Sequence, residues 1–293
     1  MAHPQIMQWA PPAIAGFVRE AHTALERHGP EHIPVLAQRF RELFSQPAPL
    51  SELVNACLSR ILAGAMDNGD PAVNIDMLLM CYSPVMTLRV IKDRPDVPSF
   101  STKPWRAALM NYPANTLILV VAPRPITVQW YCLAPGADFD VFDASLQICR
   151  ESDATVGNGE LIHVEARRRF PLLPEQGDAI YIALGSAPVN AQVVSFDPVT
   201  LAPLGASMAS EDHSVLCVML GLLDPRRPDY PLAAVSDLTA HPDHHVRWAA
   251  ATALGKHSRN AALHVVRDMA AHDRHKFLRD AACRTLQHCG GAR

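Results

Sequence analysis

His163 and Glu165 stand two residues apart in Gly159-Glu-Leu-Ile-His-Val-Glu165. As a strand, that run sends both side chains to one face of a sheet. On a sheltered face, a neutral imidazole and a carboxylate are two ligands for Fe(II), Mn(II) or Zn(II), with positions left open for water or substrate. The next His in the chain is His213, the candidate third ligand. On an outer face the pair is ordinary solvated surface beside Arg167. The second group is His241-x-x-His244 and His272-x-x-His275, with His245 four residues from His241. If these lie on equivalent turns, stacking brings the imidazoles to one edge, as a metal site, a pH-responsive patch or an anion contact. With Arg247 and Arg279 they make up the candidate binding surface. Each His can equally serve as a solvated helix-start residue or a cap.

Other chemistry has less to stand on. The seven cysteines form no Cys-x-x-Cys pair, so reduced, mostly buried thiols are expected. Gly157-Asn-Gly159 lacks the Lys-Ser/Thr sequel of a phosphate loop and reads as a hairpin turn. No Gly-x-Ser-x-Gly elbow is present.

The elements around these residues fall into three stretches. Helices are expected over 13–28 and 31–45, broken at Gly29-Pro30, and after Pro49 with Ser51 as cap. That third helix should end at the breaker cluster Asp67–Pro71, and another helical piece is expected from Ile75 to Ile91. Lys92–Pro104, with its prolines, reads as a connector. From Thr116 the period shortens to that of strands: Leu117–Val121, Ile126–Leu133, Ala144–Cys149, Leu161–Ala166, Ala179–Leu184, Ala191–Phe196 and Val215–Met219. Short strands without long intervening helices indicate an antiparallel sandwich or barrel.

The last stretch repeats itself. Val246, Arg247, Ala250 and Leu254 recur as Leu278, Arg279, Ala282 and Leu286, and Leu232, Val235 and Leu238 as Leu263, Val266 and Met269. Each unit is a helix, a polar turn and a second helix. The expected organisation is an α+β multidomain chain: a helical region over 1–110, a β sandwich over 111–222 and helical repeats over 229–293.

Net charge is −3, yet residues 241–293 carry nine Lys or Arg against four Asp. An anionic partner such as nucleic acid is one reading of that basic tail, and docking on the acidic remainder is another. No apolar run is long enough for a membrane span, and the start lacks a secretory pattern, so cytoplasmic residence is expected.

Two resemblances add to this. Gly159–Glu165 followed by Pro174-Glu-Gln-Gly-Asp-Ala-Ile-Tyr181 resembles the cupin jelly roll, which implies a metal held by His and Glu ligands and oxygenase-type chemistry. Val246-Arg247-x-Ala249-Ala250-x-x-Ala253-Leu254-Gly255 and Leu278-Arg279-x-Ala281-Ala282-x-x-x-Leu286 resemble HEAT-like repeats of phycobilisome-lyase-related proteins. That resemblance implies close helix pairs at the small Ala residues and an Arg paired with an Asp of the preceding turn, Asp243 for Arg247 and Asp273 for Arg279. The first expectation for function is a protein-binding or regulatory adaptor with a protein partner. The alternative is a metal-dependent enzyme of cupin type with Fe, Mn or Zn at His163, Glu165 and His213.

Overall fold

The structure is a computed structural model, and it describes residues 5–6, 10–62, 73–74, 77–92, 109–134, 139–173 and 179–290. The Asp67–Pro71 breaker, nearly all of the Lys92–Pro104 connector and the Pro174–Asp178 turn lie outside the described residues. The chain divides into two compact units, Met1–Ser207 and Met208–Arg293.

In the first unit, α1 (Pro12–His28) buries Ile14, Phe17, Val18, Ala21 and Leu25 on one stripe. Gly29, at φ +78°, ends it, and its amide bonds the Leu25 carbonyl. The second expected helix is divided: Pro34 sits inside a 3-10 segment, Pro30–Leu36, before α2 (Ala37–Phe44). Helix α3 begins at Pro47 rather than at Ser51 and runs to Leu62. Phe17, Phe40 and Phe44 meet edge to face or tilted within this layer.

The main sheet contains β1 (Gln5–Ile6), β2 (Val73–Asn74), β3 (Met77–Ser83), β4 (Met86–Lys92), β6 (Ala114–Val121), β10 (Leu161–Val164) and β12 (Ile180–Pro188). Its order is β1-β3-β4-β12-β6-β10, with β2 on β3 and every pairing antiparallel. Residues 77–92 are therefore a β-hairpin, where a helix over Ile75–Ile91 was expected. Pro84 occupies the turn, and Met86, Leu88 and Val90 alternate onto the helical layer's core. An interrupted apolar run of this length satisfies either period, and the pairing of β4 with β12 decides between them.

Alternation sorts the two faces of the sheet. Leu117, Leu119, Ile182 and Leu184 pack with the helices, whereas Ile118, Val120, Ile162, Val164 and Ala183 face a second β layer. That layer holds β7 (Ile126–Leu133), β8 (Ile148–Arg150), β9 (Ala154–Val156) and β11 (Arg169–Leu172), together with a ribbon of β5 (Leu109–Met110), β13 (Gln192–Phe196) and β14 (Pro203–Met208). Tyr131, Phe170, Phe196 and Phe139 form a chain of ring contacts through the interior. Asn111 closes a polar gap there, accepting from the Val194 amide at 2.6 Å and donating to the Gln192 carbonyl at 3.4 Å.

The second unit is helical: α4 (Glu211–Leu222), α5 (Leu232–Leu238), α6 (His244–His257), α7 (Arg259–His272) and α8 (Lys276–Gly290). The strand expected over Val215–Met219 is instead the middle of α4, whose start is capped by Ser210. α5 with α6 and α7 with α8 form the two hairpins read from the repeat, while α4 lies along α6. Ala250 and Ala282 are fully buried, and a Cβ at Gly255 would stand 3.4 Å from that of Ala262. Small residues thus set how closely the helices approach.

Candidate functional site

The helix-start turns of the second unit bring most of the expected residues together. Asp243 caps α6, its carboxylate accepting from the His245 amide at 2.7 Å and the Val246 amide at 3.2 Å. Asp273 does the same for α8, accepting from the His275 amide at 2.8 Å. Arg247, 5% exposed, reaches from α6 to that second cap, donating from Nε and Nη2 to the two Asp273 oxygens at 2.8 and 2.7 Å. Its Nη1 donates to the carbonyls of His241 and Pro242. The pairing expected with Asp243 is therefore replaced by one with Asp273 of the next turn. Arg279 follows its repeat mate only in part, donating to the Asp273 carbonyl oxygen at 2.6 Å rather than to a carboxylate.

A third rung comes from outside the two copies. His213, near the start of α4, places Nδ1 3.3 Å from the Asp243 carboxylate. His213 precedes Leu220-Gly221 by the same spacing that separates Arg247 from Leu254-Gly255. A partial third copy was thus readable upstream, and assigning 215–219 to a strand concealed it. His213 belongs to this helical unit, whereas His163 and Glu165 belong to the other.

The imidazoles form two small groups. His244 stacks on His275 with centroids 3.8 Å apart and planes within 5°, and lies 4.0 Å from His245. His213 meets His241 edge on at 4.9 Å. Burial, helped by the neighbouring His245 and His275, pulls His244 down to about 4. Burial and His213 also lower His241. For Asp243 and Asp273 burial acts upward, but hydrogen bonds from the turn amides, and from Arg247 in the case of Asp273, outweigh it and hold both low. His272 stands apart from the stack, exposed and paired with Asp268 at 3.0 Å. Beside these turns opens a groove of about 570 Å³, lined by His241, Arg247, His264, Asp268, His272 and Arg274 among others. Arg274 also donates to the Pro242 carbonyl, tying the two turns across the groove.

His163 and Glu165 are placed differently. His163 lies on β10 opposite Leu117, and alternation turns it away from Ile162 and Val164, which face the interior between the β layers. That interior is filled by aromatic and aliphatic side chains. His163 is half-buried, and desolvation lowers its pKa despite the neighbouring Glu165. Glu165 pairs with Arg168 at 3.1 Å across a tight turn. Among the described residues no group of three or more His, Cys, Asp or Glu is assembled to hold a metal. A charged residue that does turn inward is Arg89 of β4, near Tyr112; burial lowers the guanidinium and pushes the phenol up to about 12. Reading that segment as a helix hid the alternation that would have pointed Arg89 inward.

Residues 201–287 match a family model of HEAT repeats. The carboxy-terminal unit is accordingly built of HEAT-like helical repeats. Comparison with curated proteins finds no match. Among the described residues no helix is long and apolar enough to cross a membrane.

Proposed function

We propose that the HEAT-like unit is an interaction module that holds a protein partner along the edge formed by its helix-start turns, and that the chain works as an adaptor. The observation that carries this is the groove beside the turns, braced by the buried Arg247 and Asp273 pair and open to solvent at His264, His272 and Arg274. A rigid floor with a polar, exposed rim suits a peptide or loop: the floor needs no ordering on binding, and the rim offers both donors and acceptors. HEAT repeats commonly serve protein interaction, which supports the same reading. The basic character of the tail favours nucleic acid less than its count suggests, since Arg247 is buried in an ion pair and Arg274 and Arg279 bind backbone carbonyls. The test is affinity capture with the full chain beside His264→Glu/Arg274→Glu, which inverts the rim and leaves the buried pair intact. Partners bound by the wild type and lost by the variant are expected; identical sets from the two would refute the groove as the binding edge.

A further inference from the structure

Cys132 and Cys149 stand directly opposite one another in the second β layer, where β7 pairs antiparallel with β8. The pairing is held on both sides of them: the Glu151 amide donates to the Trp130 carbonyl at 2.8 Å, and the Ala134 amide to the Gln147 carbonyl at 3.2 Å. Such bonds alternate along an antiparallel ladder, so the two cysteines also form a hydrogen-bonded pair, with Cα atoms about 5.5 Å apart. That lies inside the span of about 4.4–6.8 Å that a disulfide bridges. Leu133 and Ile148, the next opposed pair, pack into the interior, which turns both sulfurs outward. Cys149 is exposed and Cys132 half-buried, and both are free thiols. The other described cysteines have no such mate: Cys81 of β3 lies opposite Leu88, Cys217 is on α4, and Cys283 and Cys289 are on α8.

We propose that Cys132 and Cys149 are a redox modification site, which reacts with a low-molecular-weight disulfide and closes into a reversible cross-strand bridge. The exposed Cys149 is the attacking group. Its thiolate, having given its proton to solvent, bonds one sulfur of the reagent and expels the other half as a thiolate. Cys132 then gives up its proton, and its sulfur attacks the Cys149 sulfur and expels the second half. One reagent disulfide is thereby reduced to two thiols, and the protein pair is oxidised by the same two electrons. Cys132 suits the second role. Burial raises its thiol, and the Glu151 carboxylate to which it donates and the neighbouring Cys149 add to that, so it meets reagent from solution more slowly than it meets a sulfur held beside it. Opposed strands keep Cβ atoms about 4.5–5.5 Å apart, beyond the ~3.5–4.5 Å of a relaxed disulfide. The bridge therefore draws the strands together under strain, and strained, exposed bridges are the ones readily reduced again. Once closed, it clamps the connection from β7 to β8, from which Phe139 packs on Phe196. The pair belongs to the first unit and the groove to the second, so neither reading rests on the other.

The test treats the full chain with oxidised glutathione, alkylates the remaining thiols and reads a non-reduced chymotryptic digest by mass spectrometry. Cys283, exposed on α8 with no opposed cysteine, is the internal reference, and the reagent is raised until it carries glutathione. In the wild type the Cys132 and Cys149 peptides should then emerge linked to each other, with both thiols lost to alkylation and both recovered after dithiothreitol. Cys132→Ser should trap glutathione on Cys149, since no second sulfur is there to expel it. A wild type that retains glutathione on Cys149, or in which Cys149 stays a thiol while Cys283 is modified, overturns the proposal. So does a Cys132→Ser chain whose Cys149 carries no glutathione under the same conditions.

Discussion

The rung between Arg247 and Asp273 should be the most expensive single contact to break in the carboxy-terminal unit. Each side chain is 6% exposed, and two charge-assisted bonds at 2.8 and 2.7 Å join them. Asp273→Ala removes both bonds and the α8 cap, and leaves a guanidinium buried with only the His241 and Pro242 carbonyls as acceptors. Stranding one member of a buried pair costs about 3–5 kcal/mol. The cap is worth about 1 kcal/mol within that sum. Arg247→Met should cost a similar amount, yet Arg247→Met/Asp273→Leu should cost clearly less than the two together, because no uncompensated charge remains. With two compact units a whole-chain melt is not a two-state measurement, so the assay is hydrogen exchange of the full chain, read on peptides from α6 and α8. A loss of about 3 kcal/mol appears there as exchange roughly a hundredfold faster. Additivity of the two single variants to within about 0.5 kcal/mol would refute the reasoning.

Two further outcomes follow from the same structure. His244 is pulled from 6.5 to about 4, so its neutral form is favoured by folding, facing His245, His275, Phe277, Asp243 and Arg247. The unfolded chain then binds the extra proton, and up to about 3 kcal/mol present above pH 6.5 is lost as pH falls toward 4. The low Asp243 and Asp273 pKa values add their own loss only below their unfolded value of 3.8. His244→Phe should flatten exchange in α6 and α8 between pH 6.5 and 4.5, and an unchanged slope would count against the assignment. In the other unit, Asn111→Ala strands the buried Val194 amide and removes the side-chain donor to the Gln192 carbonyl, and should cost about 1–3 kcal/mol by exchange in β13; a change under about 0.5 kcal/mol would show those bonds to be dispensable.

The repeats were legible because their signal is periodic and local: Ala250 and Ala282 recur at one spacing, and both are buried. Strands β6, β7, β10, β12 and β13 were legible for the same reason, each a short apolar run between turn residues, whereas β9, β11 and β14 were not read at all and β8 only at its start. The hairpin of β3 and β4 was not, since Met77-Leu-Leu-Met-Cys81 is apolar without a break and masks the alternation that Met86, Leu88 and Val90 show against Thr87 and Arg89. α4 failed in the opposite direction. A helix apolar on two faces has no period to read, and a nine-residue uncharged run resembles a strand until its Ser210 cap is seen. The site was half legible. The His and Arg residues at the turns were identifiable from their repeat positions, but their partners were not, because Arg247 reaches the next turn rather than its own, and that choice is made by packing.

That choice also gives the unit its direction. One side chain at the start of a helix reaches the capping Asp of the following unit: His213 approaches Asp243, and Arg247 holds Asp273. The rungs are unequal. The Arg rung is bidentate and permanently charged, whereas the His rung is one contact at 3.3 Å, electrostatic only when the imidazole is protonated. The α4 end of the stack is therefore held by fewer contacts than the α8 end, and it is the end where Val215, Val218, Met219 and Leu222 are exposed. Restoring the repeat pattern by His213→Arg should strengthen that first rung and slow exchange in α4 at pH 7. An Arg variant whose α4 exchanges no more slowly than the wild type at pH 7 would show that packing against α6, rather than the ladder, holds the first helix in place.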